Sequence, residues 1–140
     1  MDIYIYIERV LKRLSLAAAV AALCVTLCAG CTSKGYEIIS GEEAAQQMEK
    51  GGCLVVDVRT AVEYETAHIP GAVLVPLDDI RDGKLDALPD KDQLLLLYCY
   101  TGRRAEDAAA LLADAGYKNV RSFGGIVDWT GETVTGKAPG

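Results

Sequence analysis

The stretch that most constrains this chain is Leu94-Leu-Leu-Leu-Tyr98, followed at once by Cys99-Tyr-Thr-Gly-Arg-Arg104. An unbroken apolar run of strand length, stopped by a polar loop, is the pattern of a strand covered on both faces. Ala105, Ala108, Ala109, Leu112 and Ala115 then recur at helical spacing, and Gly116 ends the pattern. The loop therefore joins a buried strand to a helix packed on the sheet. In open parallel α/β sheets, ligands bind beyond the carboxyl ends of strands, which places Cys99 at the expected site. Gly102 permits a sharp turn in which successive amides converge as an anion-holding nest, and the helix start adds its positive end. With Arg103 and Arg104 alongside, the expectation is a Cys99 thiolate facing an anionic substrate.

The remaining elements fit that frame. Tyr36–Ile39 reads as a first strand. Ser40 and Glu43 form a capping box that opens a helix, with Ala44, Ala45 and Met48 on one face, ending at Gly51-Gly52. Leu54–Val58 is a second strand, and Asp57-Val-Arg59 lies at the same sheet edge as Cys99. Asp57 and Arg59 read as an ion pair tying loops together in support of the site. Thr60 and Glu63 make a second capping box, opening a short helix that includes Tyr64. His68, the chain's one histidine, stands in His68-Ile-Pro-Gly-Ala72, a turn before the strand Val73–Val75. A buried imidazole bonded to backbone is the favoured reading over a general base. The segment from Leu77 to Pro89 is polar and helix-prone in pieces, broken by Asp and Gly, and its charges read as a solvated face. Val120–Phe123 is the last strand; Gly124-Gly125 turns into a short helix, with Trp129 as a packing anchor. Strands alternating with helices give an α/β domain with a parallel sheet.

Cys99-Tyr-Thr-Gly102-Arg-Arg104 resembles the Cys-x-x-Gly-x-Arg active loop of the rhodanese (sulfurtransferase) family. The resemblance continues in order through Asp57-Val-Arg59, Glu63-Tyr64, His68-Ile-Pro-Gly-Ala72 and Gly124-Gly125-x-x-x-Trp129. It implies a three-layer α/β/α fold around a five-stranded parallel sheet of order 1-5-4-2-3. It further implies Cys99 as the nucleophile, with Tyr100, Thr101, Gly102, Arg103 and Arg104 as the loop that binds substrate. Within the loop it assigns Arg104 to bracing and leaves Arg103 for substrate contact. Asp57, Arg59 and His68 are implied as supporting residues.

The first thirty residues have a different character. Arg9, Lys12 and Arg13 precede an uncharged run from Leu14 to Leu27, closed by Cys28-Ala-Gly-Cys31, which is the order of a secretory signal. Leu27-Cys-Ala-Gly-Cys31 resembles a bacterial lipobox, although Cys28 stands where leucine is usual. The expected organisation is a signal over 1–30, a tether over 31–35 beginning at a lipidated Cys31, a domain over 36–133 and a flexible tail over 134–140. An exported, membrane-anchored domain follows from this; an uncleaved anchor helix is the alternative. Beyond residue 30, 11 Lys and Arg face 18 Asp and Glu, a net −7. That sign argues against a nucleic-acid partner and makes the anion attraction at Cys99 a local property. Cys53 and Cys99 fall at opposite ends of parallel strands, too far apart for a disulfide, and Cys53 reads as a packing residue. One histidine without clustered thiols makes no metal site, and no cofactor is expected.

Three functional classes remain. The first is sulfur transfer, from thiosulfate or another sulfane donor to cyanide or a thiol, through a Cys99 persulfide. The second is phosphatase or arsenate chemistry on the same fold, which needs five residues between cysteine and arginine. Only Tyr100 to Arg103 intervene, so this class is disfavoured. The third is a persulfide carrier that serves a partner protein.

Overall fold

The computed structural model describes residues 35–137. In chain order its elements are β1 (Glu37–Ile38), α1 (Gly41–Lys50), β2 (Cys53–Asp57), α2 (Ala61–Thr66), β3 (Val73–Leu74), α3 (Leu77–Arg81), β4 (Leu94–Cys99), α4 (Arg103–Asp114) and β5 (Asn119–Gly125). A 3₁₀ turn, Ile126–Asp128, follows. The strands form one five-stranded sheet of order β1-β5-β4-β2-β3, with every neighbouring pair parallel. This is the topology that the family resemblance implied. The proposed signal segment and Cys31 lie outside the described residues.

The apolar run behaves as its composition requires. Along β4, Leu95, Leu97 and Cys99 face a core closed by α3 and α4, while Leu96 and Tyr98 face a second core that takes in Ala44 and Tyr64. Leu95, Leu96 and Leu97 are fully buried, each worth about 1.5–3 kcal/mol of apolar transfer. A strand with both faces dry has no room for the alternating polar residues of a half-exposed sheet. Ala105, Ala108 and Ala109, also fully buried, let α4 approach the sheet closely, so its first turn stands against the end of β4. Both capping boxes form as the sequence predicts: Ser40 with Glu43 opens α1, and Thr60 with Glu63 opens α2.

Two boundaries differ from expectation. Gly124-Gly125, expected as a turn, continues β5: Leu97 pairs with Ser122, but Cys99 pairs with Gly125. One extra residue of β5 is thus taken up as a bulge, which bends the strand toward the active loop. The tail expected from residue 134 is tied down at its start. Val134 exchanges both backbone hydrogen bonds with His68 (2.8 Å each), and the Gly136 N–H donates to the Glu65 carbonyl. A paired backbone there leaves no free tail at Val134.

Candidate active site

Cys99 is the last residue of β4, and Gly102 is the cap of α4, so the whole loop is the short polar bridge between them. Gly102 has φ = 112°, a conformation that side chains rarely adopt. Its amide donates to Cys99 Sγ at 3.0 Å. Of the converging amides that the sequence suggested, this is the one that reaches the sulfur. No side chain caps α4, so the first-turn N–H groups are left to serve an anion. The loop is backed by the β5 bulge, where a Cβ on Gly125 would overlap the Tyr100 carbonyl and crowd Thr101. Only glycine permits that approach.

Arg103 and Arg104 part company. Arg104 makes a two-pronged pair with Glu63, Nη1 to Oε2 at 2.9 Å and Nη2 to Oε1 at 2.7 Å. The same carboxylate accepts from the Thr60 backbone N–H and hydroxyl, so one residue both caps α2 and braces the loop. This hydrogen bonding, led by Arg104, holds the Glu63 carboxyl down at about 2. Arg104 is raised in turn, chiefly by its hydrogen bond to Glu63. Arg103 is exposed and extends into a groove of about 330 Å³ that also takes in Arg81, Thr60 and Asp107. Arg81 carried no signal in the sequence, because its segment reads as a solvated face.

The supporting residues take the other side of the sheet. Asp57 pairs in register with Tyr98, one residue before Cys99. Asp57 and Arg59 are 0% and 4% exposed and joined by three side-chain hydrogen bonds of 2.7–3.1 Å. Arg59 also donates to the Ala67 carbonyl and lies over the Tyr98 ring. Every strong donor of the guanidinium that is described thus points into structure. His68 is buried, and its Nδ1 lies 2.8 Å from the Tyr64 carbonyl. A carbonyl only accepts, so the proton sits on Nδ1. The ring stacks on Tyr64 at 3.7 Å. His68 is therefore a fastener for the α2 turn and the chain near Val134. Cys53 pairs with Leu94 at the opposite end of β4, and both cysteines are free.

Cys99 is only 1% exposed. The sulfur is held by the Gly102 amide, while the loop residues Tyr100 and Arg103 are exposed. Tyr100 borders a second groove, of about 550 Å³, walled by Val62, Val127, Ile126 and Trp129. Thr101 is exposed at the loop's crest. Among the described residues there is no cluster of side chains suited to a metal ion.

Residues 40–132 match the family model described as a rhodanese-like domain. Thiosulfate sulfurtransferase PspE of Escherichia coli (strain K12) is 34% identical over 73 residues, covering 52% of this chain and 70% of that protein. A putative sulfur carrier protein of Bacillus subtilis (strain 168), YrkF, is 38% identical over 97 residues, 68% of this chain and 51% of its own length. A solved structure described as a rhodanese with anions from E. coli superposes with a TM-score of 0.55 at 32% identity. It covers 59% of this chain and 98% of that one.

Proposed function

Because this chain belongs to the rhodanese-like sulfurtransferase family, we propose that it moves sulfane sulfur from thiosulfate, or a related donor, to cyanide or a thiol through a Cys99 persulfide. The Gly102 amide aimed at Cys99 Sγ from the head of an uncapped helix is the observation that carries this reading. In the first step the Cys99 thiolate attacks the terminal sulfur of thiosulfate. A new S–S bond forms, the donor's S–S bond breaks, and sulfite leaves with the bonding pair. In the second step cyanide attacks the outer sulfur, thiocyanate departs, and the pair returns to Sγ. No proton needs to be removed from the nucleophile during either step, so the reaction asks for no general base. The amides of the loop and of the first turn of α4 stabilise the charge on the bound sulfurs. Arg103, exposed in the smaller groove, receives the sulfonate end of the donor. The depth of Cys99 favours a donor whose reactive sulfur is terminal and slender.

The test is turnover of thiosulfate with cyanide by the full-length chain, with Cys99→Ser as control. Thiocyanate should form, and mass spectrometry should find one sulfur, 32 Da, added at Cys99 after thiosulfate alone. Thiocyanate formation that survives Cys99→Ser would remove the proposal. A second reading, a persulfide carrier serving a partner, is favoured by the 1% exposure of Cys99, which shields a persulfide from loss, and by the likeness to YrkF. A stable persulfide with turnover below about one per minute would select it.

We also propose export and lipidation at Cys31, on the basic-apolar-small order of the first thirty residues. Incorporation of radioactive fatty acid should be lost in Cys31→Ser; equal labelling would defeat it.

A further inference from the structure

Large apolar side chains exposed to solvent are few among the described residues: Ile38, Val62, Tyr100, Leu111 and Val127. Three of these five, Val62, Tyr100 and Val127, meet around one groove of about 550 Å³, floored by Ile126 and Trp129. The volume is that of a small-molecule site. Its position is set by the active loop, since Tyr100 follows Cys99 directly and its carbonyl accepts from the Val127 N–H. The charge of its wall is already spent. Its two charged residues are Arg59 and Glu63; the first is held by buried Asp57 and the second by Arg104. Across the loop, the smaller groove keeps one uncommitted cation, Arg103, beside Arg81 and Arg104, which are paired with Asp78 and Glu63. The loop thus separates a charged pocket from an apolar one.

We infer that the apolar groove binds the acceptor, and that the acceptor is a small organic thiol with an uncharged aromatic or branched aliphatic body. This rests on the sulfur-transfer reading and names the substrate class of its second half. An apolar body buried against Val62, Val127 and Trp129 loses no solvated charge, whereas a carboxylate there would meet the committed Glu63 and no free cation. The chemistry balances without an outside oxidant. The thiol gives its proton to solvent, and its thiolate attacks the outer sulfur of the Cys99 persulfide. The new S–S bond forms as the old one breaks, the bonding pair returns to Cys99 Sγ, and the acceptor leaves as a hydropersulfide. Anionic donor and uncharged acceptor then enter from opposite sides of the loop and do not compete for one pocket.

Trp129 is the chain's only tryptophan, so its fluorescence reports on the groove. Two probes with a common aromatic thiol body separate the terms: phenylmethanethiol and its 4-carboxy derivative. With the Cys99→Ser protein, phenylmethanethiol should perturb Trp129 saturably, and the carboxylate should bind at least tenfold more weakly. Val62→Asp, at a 75% exposed position, and Val127→Asp should each weaken phenylmethanethiol binding about tenfold. In the wild-type background the same variants should raise its KM as acceptor about tenfold while thiosulfate–cyanide turnover stays within twofold. No saturable response, equal affinity for both probes, or an equal loss with cyanide would overturn the acceptor site. Saturable, charge-sensitive binding in a protein that forms no persulfide would instead uphold the groove and remove the sulfur-transfer reading.

Discussion

Glu63→Gln separates the charge of the brace from its shape. Glutamine still completes a capping box with Thr60, so α2 keeps its start and the loss is confined to the ionic bond with Arg104. A carboxyl held at about 2 instead of 4.5 corresponds to about 3 kcal/mol, at about 1.4 kcal/mol per tenfold. The two side chains are 31% and 35% exposed, and solvent screening reduces the expected effect to about 1–2 kcal/mol. The sign follows from the lowered folded-state value. The stabilisation is complete above the unfolded value of 4.5 and is lost as pH falls through about 2. Urea unfolding of wild type and variant at pH 7 should show the full gap, and at pH 3 well under half of it. Other carboxylates titrate in both proteins and cancel in the difference. Because Arg104 stands in the first turn of α4, just past the Gly102 amide that reaches Cys99 Sγ, persulfide formation in the variant should slow about three- to tenfold. A stability gap of the same size at both pH values would refute the ionic assignment, and unchanged persulfide formation would refute the brace.

Asp57→Asn strands the 4% exposed Arg59 guanidinium and should destabilise the fold by about 3–5 kcal/mol in denaturant titration, the penalty for an uncompensated buried charge. Gly125→Ala drives a methyl group into the Tyr100 carbonyl and should cut thiocyanate production at least tenfold, more than its shift in melting temperature explains. Arg103→Ala should raise the KM for thiosulfate about five- to tenfold with kcat within threefold, because Arg103 is exposed in the groove and braces nothing described; a kcat loss at constant KM would place it elsewhere in the cycle.

The strands, the helices and both capping boxes were legible because each follows from spacing over a few residues: an apolar run, a 3.6-residue alanine period, a serine or threonine three residues before glutamate. The ion-pair reading of Asp57 and Arg59 and the backbone-bonded reading of His68 were legible for a chemical reason. A lone histidine in a Pro-Gly turn and opposite charges two residues apart have few uses once buried. The bulge was not legible. Gly124-Gly125 reads as a turn, and only pairing across β4 shows that Gly125 must lie beside Cys99. Arg81, Val62 and Val127 were silent for the same reason: alone in the sequence, each is an ordinary surface residue, and it acquires meaning from a neighbour far along the chain.

The sequence alone therefore determined that a buried strand delivers a cysteine into a glycine-turned, arginine-bearing loop at the head of a helix, since local periodicity and turn chemistry act over a few residues. Tertiary structure supplied the partner that consumes Arg104, Glu63, where the resemblance had implied only a bracing role, and it decided that the loop parts a charged groove from an apolar one. The physical reason is that an arginine's reach to Glu63, some forty residues away, and the apposition of Val62 with Val127 are products of packing and leave no trace in local order.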